Sequence, residues 1–176
     1  MKKIISLLLC VGLIMTMFTA CGAKGVKTGL AVVTSATSSK DATEDKEGLA
    51  QVDSTAVAVL VDSKGVIQNC VIDVVQTKFN FSSAGEITTD LGKTFVSKKE
   101  LGDAYNMRSD SPIGKEWYEQ ADAFAKYVVG KTVDEVKGIA VSEEGTPADA
   151  DLASSVTIHI GDFISTIEKA VANSAN

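Results

Sequence analysis

Histidine and cysteine are scarce in this 176-residue chain, which contains one histidine and three cysteines. Cys10 and Cys21 lie in an N-terminal segment that has the character of an export signal, so Cys70 and His159 are left for chemistry elsewhere. A zinc site would lack ligands, an internal disulfide would lack its second cysteine, and thiol catalysis would require that single pair to meet. Cys70 lies in an apolar run, which predicts a buried, inert thiol more strongly than a redox role.

Other motifs of catalysis and phosphate binding are also missing. The chain has no Gly-x-Ser-x-Gly nucleophile turn and no glycine-rich phosphate loop, and its glycines are scattered. Its 17 basic and 23 acidic residues give a net charge of −6, which argues against nucleic acid as a partner. No second long apolar run follows the N-terminal one.

The N-terminal segment predicts export and lipid anchoring. Lys2 and Lys3 precede an apolar stretch over 4–18, and the sequence Phe-Thr-Ala-Cys then ends at Cys21. This ending resembles the lipobox of bacterial lipoproteins, although Phe18 stands where Leu is usual. The resemblance implies a signal peptide over 1–20 and a lipidated Cys21 that holds the protein at the extracytoplasmic face of the cell membrane. An ordinary cleaved signal peptide is the alternative.

The mature chain is predicted to begin with a spacer and to continue as one domain. Residues 21–48 read as an anchor spacer and mobile polar segment with a brief strand candidate at 30–33, and 49–176 read as the folded domain. Within it, two runs rich in β-branched residues, 51–61 and 66–78, flank a four-residue turn and predict a β-hairpin. A further strand is expected at 93–96.

The second half of the chain changes to helical spacing. Helix starts are predicted at Ser97, at Ser111-Pro112 and at Thr132, the first and third from capping-box spacing. Apolar residues from Val156 to Val171 recur at helical intervals and favour one long final helix, with a strand over 155–160 and a shorter helix as the alternative. We therefore expect an α+β fold in which an antiparallel β-sheet is packed by two longer helices and short helical turns.

One polar segment, 151–157, is the candidate binding site. It contains Asp151, Ser154, Ser155 and Thr157 just before the predicted final helix. The two serines are explained if they cap the free N–H groups of that helix. The same N–H groups, with the positive end of the helix dipole, would also suit a phosphate.

This segment resembles the flavinylation motif of FMN-binding domains, Asp-x-x-Ser/Thr-Gly-Ala-Thr, which occurs in subunits of sodium-translocating NADH:quinone oxidoreductases and in extracellular flavin lipoproteins. Asp151, Ser154 and Thr157 match the motif, whereas Ser155 and Val156 replace its Gly and Ala. The resemblance implies that a flavin transferase joins FMN to the Thr157 hydroxyl through a phosphoester. The stretches 111–117 and 130–136 support it.

The resemblance implies an FMN-carrying lipoprotein that transfers electrons to or from an unknown redox partner, as a carrier and not an enzyme. Lys115 and Trp117 are then candidates to line the flavin, together with Ser154, Ser155, Asp151 and Thr157. Trp117 is alternatively a core residue. The main rival is a binding or interaction lipoprotein of the same architecture without flavin. A third hypothesis, an exported hydrolase, would need a polar pocket around His159.

Overall fold

The computed structural model describes residues 25–175, which contain a three-stranded antiparallel sheet. The strands are β1 (Lys27–Ser35), β2 (Gly48–Val61) and β3 (Ile67–Phe81), in the order β1-β2-β3. The predicted hairpin is confirmed as β2 and β3. Its turn is closed by the Asp62 carboxylate, which accepts the N–H groups of Lys64 at 2.8 Å and Val66 at 3.0 Å. These bonds to the ionised form lower the pKa of Asp62.

β1 lies within the segment 21–48 and pairs with β2 over its whole length, from Lys27 opposite Val61 to Ser35 opposite Asp53. This part of the predicted spacer therefore contributes an edge strand to the sheet. The signal segment 1–20 and Cys21 lie outside the described residues. No helix in residues 25–175 is long and apolar enough to cross a membrane.

The sheet has one buried and one exposed face because successive side chains of a strand alternate. On the buried face, Val57 lies opposite Ile72, and Val59 lies opposite Cys70. On the other face, Leu30 and Val71 are 64% and 48% exposed. The helices consequently cover one side of the sheet.

Within the described residues, five helices follow the sheet, and the predicted α+β fold is confirmed. They are α1 (Lys98–Leu101), α2 (Trp117–Tyr127), α3 (Val133–Lys137), α4 (Ala150–Ala153) and α5 (Gly161–Ala172), with a 3₁₀ turn at Gly102–Tyr105 after α1. α2 and α5 are the two longer helices. Their aromatic residues meet in the core, where the ring centroids of Trp117 and Phe163 lie 6.0 Å apart and those of Phe124 and Phe163 lie 5.8 Å apart.

Two of the predicted helix starts are confirmed, and one is wrong. The Ser97 hydroxyl accepts the N–H of Glu100, and Thr132 and Glu135 form the predicted capping box. α2, however, starts at Trp117 and not at 111–112. Glu116 is the N-cap instead: its N–H donates to the Glu119 carboxylate at 2.8 Å, and its own carboxylate, 2% exposed, accepts the N–H groups of residues 107 and 108, both at 2.9 Å. Residues 111–114 form a turn instead.

The preferred prediction of a long final helix from Val156 is also wrong, because α5 begins at Gly161. The backbone N–H groups before it bond elsewhere: that of Thr157 donates to the Gln120 side chain at 2.8 Å and that of Ile160 donates to the Gly145 carbonyl at 3.0 Å. Residues 155–160 belong to no strand either, and the strand expected at 93–96 does not form. Val156 and Ile160 are nevertheless fully buried, so this irregular segment is part of the core.

Candidate functional site

A cavity of about 390 Å³ opens between the sheet, the first helical turns and the loop before α5. Ser35, Asp53 and Val74 contribute the sheet side of its wall. Ile158 and His159, which directly follow Thr157, line the opposite side. The volume lies within the range of small-molecule sites, about 300–1,000 Å³.

Lys98 is the most unusual side chain in this cavity. Its ammonium nitrogen lies 4.8 Å from the ring centroid of Tyr105 and 5.1 Å from that of Trp117, so the cation is held between two aromatic side chains. Burial lowers the pKa of Lys98 to about 8, while the negative charge of Asp53 acts in the opposite direction. No ion pair in residues 25–175 involves Lys98.

Thr157 is fixed by a buried amide. The side chain of Gln120, which is 0% exposed, accepts two hydrogen bonds through Oε1: the N–H of Thr157 donates at 2.8 Å and its hydroxyl donates at 3.1 Å. Thr157 itself is half-buried. Thr157 does not itself line the cavity, although the next two residues, Ile158 and His159, do.

The amide nitrogen of Gln120 contacts the stretch 111–117, which also supports the resemblance to FMN-binding domains. Its Nε2 donates to the Ser111 hydroxyl at 3.1 Å and to the Lys115 carbonyl at 3.2 Å. One buried side chain therefore joins the turn over 111–115 to the Thr157 segment. Gln120 and Thr157 are 37 positions apart in the sequence, so folding alone brings them into contact.

Asp151, Ser154 and Ser155 have local structural roles. Asp151 is exposed on α4, and the Ser154 hydroxyl donates to its carbonyl at 2.6 Å. The Ser155 hydroxyl donates to the Leu152 carbonyl at 3.2 Å. The prediction that these serines cap the final helix is therefore wrong, because both hydroxyls bond carbonyls at the end of α4 and not the N–H groups of α5. None of the three residues lines the cavity.

The two predicted flavin-lining residues differ in position. Trp117 is 4% exposed, packs edge-to-face against Phe163 and also lines the cavity, so it belongs to both the core and the candidate site. Lys115 does not line the cavity, and its backbone carbonyl accepts from Gln120.

Sequence reasoning missed Lys98, Tyr105 and Gln120. Gln120 left a signal, since it is a polar residue three positions after Trp117 and four before Phe124, on the buried face of α2. Lys98 left none, because a lysine after an N-cap serine has the usual appearance of an exposed first turn. His159 is exposed and lines the cavity from the loop before α5. The predicted long final helix would have included His159, but α5 begins two residues later.

The cavity offers aromatic surface and charged groups of both signs, because the carboxylates of Asp53 and Asp162 line it together with Lys98. Trp117 and Tyr105 offer apolar ring surface, Lys98 supplies a cation, and the polar side chains of Thr55 and Gln76 supply hydrogen-bonding groups. Residues 25–175 contain no cluster of three or more His, Cys, Asp or Glu that could hold a metal ion.

Over part of its length the chain is similar to a curated protein named chlorophenol reductase, from Desulfitobacterium hafniense. The two are 35% identical over 94 residues, which cover 47% of this chain and 29% of the relative. The chain thus matches less than a third of that relative's length. No protein-family profile matches the chain, and no solved structure matches it.

Proposed function

We propose that this protein is a membrane-anchored, exported FMN carrier in electron transfer, with FMN joined to Thr157 through a phosphoester. The observation that carries the proposal is the position of Thr157: the acceptor residue of the flavinylation-like motif does not itself line the 390 Å³ cavity, but it directly precedes Ile158 and His159, which do. The similarity to a protein named as a reductase is compatible with redox chemistry.

Some groups of the cavity suit FMN, whereas the carboxylates of Asp53 and Asp162 in the same lining would oppose its phosphate. Tyr105 and the small exposed part of Trp117 would contact the flat isoalloxazine beside Lys98, which would offset negative charge on the ring or on the phosphate. Bound FMN supplies one- and two-electron redox chemistry, and the protein supplies position, shielding and charge. A carrier of this kind needs no acid–base pair of its own.

Esterification of the Thr157 hydroxyl would remove one of its two hydrogen bonds to Gln120 and leave the other. Attachment replaces the hydroxyl hydrogen, so the 3.1 Å bond to Gln120 is lost. The 2.8 Å bond from the Thr157 N–H to the same oxygen remains. Gln120 would therefore hold the backbone of the acceptor residue both before and after modification.

The experiment is the intact mass of the chain coexpressed with a flavin transferase. We expect a gain of one FMN less one water, which disappears in Thr157→Ala and persists in Thr157→Ser, since serine keeps the hydroxyl. Ser154→Ala is the matched control, because Ser154 carries an exposed hydroxyl three residues away in the same segment.

Two outcomes contradict covalent attachment at Thr157. A mass gain that persists in Thr157→Ala and disappears in Ser154→Ala would move the linkage to the serine. No mass gain and no flavin absorbance would favour the rival function, a binding or interaction lipoprotein of this architecture without flavin.

A further inference from the structure

A second cavity, of about 310 Å³, lies beside the first, between β3 and the segment 93–105. Gln76, Lys98 and Tyr105 line both cavities, and the Tyr105 hydroxyl donates to Gln76 Oε1 at 3.4 Å. These three side chains form a shared wall. Molecules bound in the two cavities would therefore be close neighbours.

All charged residues that line the second cavity are lysines: Lys78, Lys93 and Lys98. This is unusual for a chain with 23 acidic and 17 basic residues. No ion pair in the part of the chain that the structure describes involves any of the three. The lysines therefore leave a positive charge at this cavity that no protein carboxylate neutralises by direct contact.

The charged groups that act on Tyr105 in the shared wall include a carboxylate on the side of the first cavity and a lysine on the side of the second. Burial raises the pKa of Tyr105, and the positive charge of Lys78 opposes that rise from the side of the second cavity. The negative charges of Asp53 and Glu116 reinforce the rise. Of these groups, Asp53 lines the first cavity, and neither carboxylate lines the second.

Phe95, Val96, Leu101 and Ala104 give the second cavity an apolar part, and Gln76, Thr94 and Tyr105 also line it. The Lys93 ammonium lies 5.4 Å from the centroid of the Phe95 ring, so cation and aromatic surface are adjacent. A ligand that fits must combine a small apolar body with a negative group at one end.

We propose that the second cavity binds a small aromatic carboxylate. Lys78 and Lys93 pair with the carboxylate, and Phe95 and Leu101 contact the ring. This site does not depend on flavin attachment, and it adds a ligand to the proposed electron carrier.

The test is isothermal titration calorimetry of the full chain with 2-naphthoate and with its neutral counterpart 2-naphthamide. We expect naphthoate to bind more tightly and to weaken as salt is added, because exposed charges are screened. The double variant Lys78→Gln/Lys93→Gln should lose about five- to tenfold in naphthoate affinity, in line with the modest strength of exposed charge pairs. Its affinity for naphthamide should not change.

The matched control is Lys64→Gln/Lys126→Gln, which removes the same charge from exposed lysines that line neither cavity. We expect it to bind naphthoate like the unmodified chain. Equal affinity for naphthoate and naphthamide, no binding of naphthoate, or an equal loss in both double variants would overturn the proposal. Because Lys78 and Lys93 are exposed, their replacement leaves the core intact.

Discussion

The ammonium of Lys98 is half-buried, and it has no ion-pair partner in residues 25–175. Two aromatic faces offset part of the desolvation that burial imposes, since a cation over a ring gains about 0.5–2 kcal/mol. The remaining cost appears as the lowered pKa, about 8 against the ordinary 10.5. A cation kept at such a cost in the wall of two cavities is suited to bind a ligand.

The pH dependence of stability tests this environment. Below about pH 8 Lys98 is charged in the folded and unfolded states alike, and the folded state bears the full cost of burial. Between about pH 8 and 10.5 the unfolded chain binds more protons at this residue, so its contribution to the free energy of unfolding rises with pH. Relative to Lys98→Met, the unmodified chain should therefore gain about 1–3 kcal/mol between pH 7 and pH 10.

Urea unfolding at the two pH values measures this gain, with Lys126→Met as the control at an exposed lysine. The control should differ from the unmodified chain by the same amount at both pH values. Parallel behaviour of Lys98→Met and Lys126→Met would show that the ammonium of Lys98 is fully solvated in the folded protein.

At the scale of the element, local signals predicted the hairpin and two helix caps, while distant partners decided the rest. The turn at 62–65 and the cap of Ser97 are satisfied by neighbours within a few residues. The start of α2 combines both, because Glu116 bonds locally to Glu119 and also to the backbone eight and nine residues before it. The start of α5 is set by bonds to Gln120 and Gly145, which no periodicity in 156–171 encodes.

β1 approaches α5 closely at Gly29. A Cβ on Gly29 would stand 1.8 Å from the Ala170 carbonyl oxygen, so only glycine lets the strand approach the helix this closely. We expect Gly29→Ala to lower the free energy of unfolding by about 2–4 kcal/mol, because backbone and not a flexible side chain must move. Thermal or urea unfolding measures the loss.

Gly161→Ala is the matched control for this change. It lies at the first position of α5, with no atom within 4 Å of the added Cβ. Alanine is the better helix former, so this variant should be unchanged or more stable by up to about 1 kcal/mol. If Gly29→Ala is as stable as Gly161→Ala, β1 does not lie against α5 as described.

At the scale of the whole molecule, sequence motifs identified part of the candidate site. The motif spacing singled out Thr157, which directly precedes two cavity-lining residues, and the resemblance named Trp117, which lines the cavity. Lys98, Tyr105 and Gln120 were missed because folding, not proximity in the chain, brings them to these two residues. The predicted helix-end phosphate site was misplaced for the same reason, since α5 begins four residues after Thr157.

Membrane anchoring is tested by Cys21→Ser. Lipid chains on Cys21 would keep the protein in the membrane fraction, and serine removes the thiol that carries them. We expect the unmodified chain in the membrane fraction of expressing cells and the variant outside it. Cys70→Ser is the control, because Cys70 is buried and burial raises its pKa to about 12. Equal partition of Cys21→Ser and the unmodified chain would contradict the lipid anchor.

If the chain is anchored by lipid at Cys21, the length of β1 limits how far the cavity can lie from the membrane. Ser35 lines the first cavity, and Lys27 lies at the opposite end of the nine-residue strand. At about 3.3 Å per residue this strand spans about 26 Å. If the chain is tethered near Lys27 and the strand stands upright on the bilayer, the cavity would lie up to that far from the lipid surface, where a water-soluble redox protein could dock without touching lipid.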